Sequence, residues 1–182
     1  MDDPQLDFKS GYQPVLRPVL SSKKAISSHA IRLSPLPEGT IIHLLAASGA
    51  SEVENRLRDL SKGDVRVLSP AQWLIVSDKP MSYAETKALF SLVEPHATAV
   101  DQSQGRVRMR IEGRMVERVL ARGTAVDLSI TAFPVRSSAT TLIGHITAHL
   151  TRVEDQAFEI IVLRGFAESL WDDLVRLCRE FE

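Results

Sequence analysis

The chain has 182 residues, with 22 Lys and Arg against 23 Asp and Glu, a formal net charge of -1. That length carries one domain with a proper core, or two small halves sharing one. The near-neutral charge does not advertise nucleic acid or an anionic membrane, and the single cysteine, Cys178, excludes an intrachain disulfide and a thiolate-built zinc site.

Asp2, Asp3 and Asp7 stand where a secretory leader carries basic residues, and no apolar run is long enough to span a bilayer, so a cytoplasmic location is expected. Residues 1–24, with Pro4, Pro14 and Pro18 and few core-forming side chains, are expected to be an extended arm. Ala25 to Leu33 is a weak mix with room for one strand, and Pro35, Pro37 and Gly39 make a turn. Thr40–Ala46 is a clear strand. Ser51 and Glu54 form a capping box for a helix whose face is Val53, Leu57 and Leu60, and Gly63 ends it. Asp64–Leu68 and Trp73–Val76 are strands around a Ser69-Pro70 turn. Ser82 and Glu85 cap a second helix that Pro95 stops.

Arg106, Arg108 and Arg110 alternate with Val107, Met109 and Ile111, a strand with one cationic and one apolar face. Gly113 breaks it, Arg114–Ala121 follows with helical spacing, and Gly123 sits where a left-handed cap belongs. Thr140–Leu150 alternates as one further strand, which would put His145 and His149 on a shared solvated face. Ala157–Leu163 is an apolar strand, and Phe166–Phe181 is a helix with Phe166, Leu170, Leu174, Leu177 and Phe181 on one stripe. The order repeats itself, which predicts an α+β fold over residues 25–182. Two strand-helix-strand, ferredoxin-like halves, about 25–98 and 99–182, would share an antiparallel or mixed sheet with helices on one face. The alternating strands further predict one sheet face that is exposed or meets a partner.

Residue chemistry alone points to no active site. The nucleophile-elbow, dinucleotide and Walker patterns are absent, Cys178 reads as a buried structural thiol, and the histidine pair has no third metal ligand near in sequence. Trp73 and Trp171 read as core or interface anchors. Three arginines on one strand face repel one another, so the row is either a solvated face near Asp101, Glu112 and Glu117 or a docking or anion surface. No aromatic residues interleave with it, which argues against nucleic acid.

Four stretches resemble a known family, the gamma subunit of heterotetrameric sarcosine oxidase. Ser69-Pro70-Ala71-Gln72-Trp73-Leu74 is similar to its GP-[DE]-E-W-L signature, and Asp101-Gln102-Ser103-Gln104-Gly105-Arg106 to its D-x-S-x-G-R strand entry. Gly123-Thr124-Ala125-Val126-Asp127-Leu128 resembles its G-C-P-x-D-L turn, with Thr124 and Ala125 in place of Cys-Pro. Arg164-Gly165-Phe166-Ala167-Glu168-Ser169-Leu170-Trp171 resembles its R-S-F-A-E-S-L-W helix entry. The resemblance implies a fold like the folate-binding domain of aminomethyltransferases. It also implies a non-catalytic subunit that binds alpha, beta and delta partners, chiefly alpha, with FAD, FMN, NAD and tetrahydrofolate on the partners. On that view no residue of this chain is catalytic, cofactor-binding or metal-binding, and Arg106, Arg108, Arg110 and Asp127 are the expected partner contacts. The alternative is a stand-alone folate-binding or aminomethyltransferase-like protein of the same superfold.

Overall fold

A computed structural model describes residues 17–46, 50–58 and 63–181. The elements run β1 (Ile26–Ser27), β2 (Arg32–Pro35), β3 (Thr40–Ala46), α1 (Ala50–Arg58), β4 (Asp64–Ser69), β5 (Gln72–Ser77), α2 (Tyr83–Val93) and β6 (Ala97–Asp101). They continue with β7 (Arg106–Glu112), α3 (Val116–Leu120), β8 (Ser138–Ile143), β9 (Ile146–Glu154), β10 (Ala157–Leu163) and α4 (Ala167–Cys178), which has a 3₁₀ turn at each end. The α+β class stands, but the halves do not merge into one sheet. A four-stranded sheet runs β4-β5-β3-β6 and a six-stranded one β1-β2-β7-β10-β9-β8, and every pairing is antiparallel. The first is a complete βαββαβ unit in ferredoxin-like order. β2 pairs with β7, beyond that unit, and β1 pairs with β2, so both extend the second sheet.

Separation follows from which faces are apolar. Ile42, Leu44, Trp73 and Ile75 point from the four-stranded sheet to Val53 and Leu57 of α1 and to Leu89 and Val93 of α2. Val107, Met109, Ile111, Leu150, Phe158 and Ile160 point from the six-stranded sheet to α3 and α4. Each sheet thus buries its larger apolar face under its own helices. The remaining faces meet each other, where Ile41, Leu74 and Val76 pack on Ile161. The order is helix, sheet, sheet, helix. The sheet face expected to be open or to meet a partner meets the other half of the same chain.

Local chemistry accounts for most element ends. Ser82 Oγ accepts the Glu85 N–H at 3.3 Å and the Ser82 N–H donates to Glu85 Oε2 at 2.9 Å, the reciprocal box expected for α2. The side chains of the Ser51–Glu54 box, and Leu60, lie outside what the structure describes, as do residues 1–16 of the expected arm. Arg17–Lys24 are anchored: Leu20 is buried in the larger core, Lys23 pairs with Asp172 at 2.8 Å, and the Arg17 carbonyl accepts from Arg164 Nη2. Gly113 has φ +129, and a Cβ there would lie 2.4 Å from the Ala30 carbonyl oxygen, so only glycine lets β7 leave the sheet beside that loop.

Two expectations are corrected, and one strand was missed. Thr140–Leu150 is not one strand: Gly144, at φ +60, and His145 form a two-residue turn between β8 and β9, with Ile143 opposite Ile146. The α4 stripe is rotated, because a 3₁₀ turn precedes the helix. Ala167, Leu170, Trp171, Leu174 and Cys178 are buried, whereas Phe166 is 53% exposed. Finally, β6 carries no strong strand signal, since ATAVD is short and small; its pairing with β3 is imposed by the fold.

Trp171 is 3% exposed within the core of the six-stranded half. Replacing it with alanine is expected to cost about 3–5 kcal/mol through lost burial and a cavity, read from urea unfolding. A loss below about 1 kcal/mol, the range of surface substitutions, would place the ring outside the working core.

Candidate functional site

The cationic strand face predicted for β7 lies at the seam between the sheets. There the inward positions of β7, β10 and β9 carry Arg108, Glu159, Ile161, His149 and Thr151, all buried. From the four-stranded sheet Arg66 of β4 enters, 5% exposed. Glu159 Oε2 accepts from Arg66 Nη2 at 2.7 Å and from Arg108 Nη2 at 3.0 Å. Arg66 Nε also donates to Asp64 at 2.9 Å, and Arg108 Nη1 to Asp78 at 2.7 Å. Burial pushes the Glu159 carboxyl up, but the two guanidinium groups outweigh it and hold the group below the usual carboxylate range.

The row divides by charge accounting. Arg108 is buried with two carboxylates, so it offers no surface in this fold. Arg110 is half-buried and donates to Glu112 at 2.6 Å and to Glu154 at 2.7 Å. Burial pulls Arg110 down, yet its bonds to Glu154 and Glu112 raise it above its ordinary value. Arg106 has no carboxylate partner among the described residues. Its Nε donates to the Gln102 amide oxygen, and burial lowers its pKa with nothing to offset it. Gln102 is itself held: its Nε2 reaches His43 Nδ1 at 3.5 Å, and His43 Nε2 meets Gln72 Oε1 at 2.9 Å. Asp127 does not join this face. It is exposed, and its carboxylate accepts the Ser129 N–H at 2.9 Å, which holds it below its ordinary value. It precedes Leu128, which packs in the core on the helix side of the same sheet.

The two histidines part company as well. His145 is exposed in the turn, whereas His149 is buried, so the solvated pair expected from the alternation does not exist. Thr140 Oγ1 lies 3.3 Å from the Leu68 carbonyl and 3.3 Å from His149 Nδ1. A carbonyl only accepts, so the hydroxyl proton goes to Leu68, and His149 Nδ1–H donates to Thr140. That leaves Nε2 as a bare acceptor, and it has no partner among the described residues. Burial, and then the charges of Arg66 and Arg106, lower His149 to about 4.

A pocket of about 310 Å³ opens at this end of the seam, lined by Leu68, Ser69, Arg106, Thr140, Thr147, Ala148, His149, Ile161 and Leu163. Apolar walls dominate, with Arg106 as the cation and His149 as the buried acceptor. No group of three or more metal-ligating side chains occurs among the described residues. Sequence reasoning missed Glu159 and Arg66. The one legible signal was a lone charge inside the apolar run AFEIIVL, since a buried carboxylate requires cationic partners. Cys178 is buried, as read from its helix.

The family described as sarcosine oxidase, gamma subunit, matches residues 44–178. A solved structure of heterotetrameric sarcosine oxidase from Corynebacterium sp. U-96 contains a chain similar in fold, with TM-score 0.75 and 21% identity, covering 89% of this chain and 90% of that one. The glycine cleavage system aminomethyltransferase T from Bartonella henselae is similar at TM-score 0.57 and 16% identity, over 80% of this chain but 45% of its own length. No curated protein sequence matches.

Two predictions follow from the seam. Glu159→Ala leaves Arg66 and Arg108 facing each other in a buried site and is expected to cost about 3–5 kcal/mol, as loss of one member of a buried pair does. Adding Arg66→Met should restore part of that loss; no restoration in a double-mutant cycle would disprove the coupling. For His149 the folded value lies below the ordinary 6.5. Above pH 6.5 neither folded nor unfolded imidazole is charged and the group adds no pH dependence. Below it the unfolded chain takes up a proton that the folded chain refuses until about pH 4. Stability therefore falls with acidification by about 1.4 kcal/mol per pH unit from this group. Glu159 adds its loss at lower pH, as its carboxylate protonates. His149→Gln should flatten the urea-midpoint profile between about pH 6.5 and 5, where the carboxylates stay ionised.

Proposed function

The chain belongs to the sarcosine oxidase, gamma subunit family, and on that premise we propose that it is the non-catalytic gamma subunit of a heterotetrameric sarcosine oxidase. The family match across residues 44–178, 135 of the 182 residues, carries this reading. The complex would demethylate sarcosine to glycine, with oxygen reduced to hydrogen peroxide and the one-carbon unit passed to tetrahydrofolate as 5,10-methylenetetrahydrofolate. FAD, FMN, NAD and tetrahydrofolate belong on the alpha, beta and delta partners, and alpha is the main contact. The fold supports a binding role, because Glu159, Arg66 and Arg108 hold the halves together and are not free for acid–base work. No helix among the described residues is long and apolar enough to cross a membrane.

The alternative, a stand-alone folate-binding or aminomethyl-transferring protein, is not favoured. The similar aminomethyltransferase is matched over 45% of its length, whereas the gamma-subunit family matches residues 44–178 of this chain.

The test is co-expression of the tagged chain with the neighbouring oxidase subunits. All four subunits should co-purify, and the chain purified alone should carry no flavin band and oxidise no sarcosine. A flavin band that survives desalting of the isolated chain, or aminomethyl transfer by it, would overturn the assignment.

A further inference from the structure

Arg106 is the unexplained charge of this fold. Its two neighbours in the row each have two carboxylates. Arg106 is half-buried and has none among the described residues. A guanidinium taken partly out of water without an anion loses hydration and gains no Coulomb energy. It is nevertheless held in place, by the relay Gln72–His43–Gln102, which brings no carboxylate. Gln102 occupies only the Nε donor, so the two terminal nitrogens, the pair that meets a carboxylate side by side, have no partner among the described residues. Two of the singled-out sequence stretches therefore converge here: Ser69-Pro70-Ala71-Gln72 supplies the pocket rim and the start of the relay, and Asp101-Gln102-Ser103-Gln104-Gly105-Arg106 supplies its end.

The second anomaly is on the same wall. His149 is 1% exposed and its Nε2 is an unsatisfied acceptor. Arg106 lies beside Leu163, and Leu163 is one position beyond Val162, which pairs with Ala148; His149 pairs with Ile161. The two residues are thus two strands and two positions apart, a Cα separation of about 12 Å from strand geometry. With side chains extended, the gap suits one small ring. Between them the walls are Leu68, Ala148, Ile161 and Leu163, and the space is about 310 Å³.

We propose that the pocket between Arg106 and His149 is a binding site for a carboxylate borne on a small apolar body that also presents one N–H or O–H donor. The carboxylate meets the free edge of Arg106, the apolar body lies on Ile161 and Leu163, and the donor satisfies His149 Nε2. The carboxylate belongs either to a free acid or to a side chain or terminus of a partner subunit. The site rests on the geometry of this chain and stands apart from the subunit assignment.

The probe is 3-hydroxybenzoate, titrated into the isolated full-length chain and followed by ¹H–¹⁵N spectra. Saturable shifts are expected at Ser69, Arg106, Thr147 and Leu163, with 3-hydroxybenzamide, which lacks the charge, binding at least about tenfold more weakly, as charge-assisted bidentate pairing requires. Arg106→Gln should weaken 3-hydroxybenzoate at least about tenfold while leaving the melting temperature unchanged, since no ion pair is lost. Thr147→Phe, at an exposed strand position, should block the pocket without touching the cation. The absence of saturable shifts, or equal binding by a folded Arg106→Gln chain, overturns the proposal. Repeating the titration on the co-purified complex identifies the source: retained binding supports a free acid, and binding lost only on assembly supports a partner's carboxylate in the pocket.

Discussion

Glu159 is the carboxylate on which the relation of the two halves depends. It sits on β10 of the six-stranded sheet and receives Arg66 from the other sheet and Arg108 from its own neighbour strand. Such an arrangement is a weak source of net stability, because three charges lose water to make it. Its value is geometric. A guanidinium fork meets a carboxylate over a narrow range of positions, whereas Ile41, Leu74, Val76 and Ile161 would pack in several registers. The apolar contacts press the sheets together and the charges decide where.

That arrangement explains why one chain carries two separate apolar cores. Each sheet has a strongly apolar face, and each gives it to its own helices. The faces left over are mixed, and mixed faces can be buried together only if their polar groups are paired. Most are: Arg66, Arg108, Arg110 and Thr140 all have partners. On the other side of the six-stranded sheet Arg152, fully buried, follows the same logic, with Glu117 at 2.8 Å and the Phe158 ring 4.4 Å beneath its guanidinium.

The exceptions gather at one end of the seam. Among the described residues Arg106 lacks an anion and His149 Nε2 lacks a donor, and both line the pocket beside the β4–β5 turn. Arg66 Nη1 and Arg108 Nε also have no partner among the described residues, but each of those guanidinium groups meets two carboxylates, whereas Arg106 meets none.

Much of the architecture was legible in the sequence, because it depends on local rules. Period-two alternation located β7, apolar β-forming runs and turn residues located β3, β4, β5 and β10, the Ser82–Glu85 box located α2, and apolar spacing located α4. The resemblance of four short stretches pointed to the right family. What sequence could not decide is which faces meet. Alternation shows that Arg106, Arg108 and Arg110 share a side, but not that Glu159, some fifty residues later, lies between Arg108 and a fourth arginine, Arg66, from another sheet. Nor could it separate three arginines of identical local pattern into two that are neutralised and one that is not. It also took Thr140–Leu150 as one strand, because a two-residue turn at Gly144 and His145 preserves the alternation on either side. Local periodicity records which side a residue faces; the carboxylate that finds it is set by long-range packing, and only the tertiary structure holds that information.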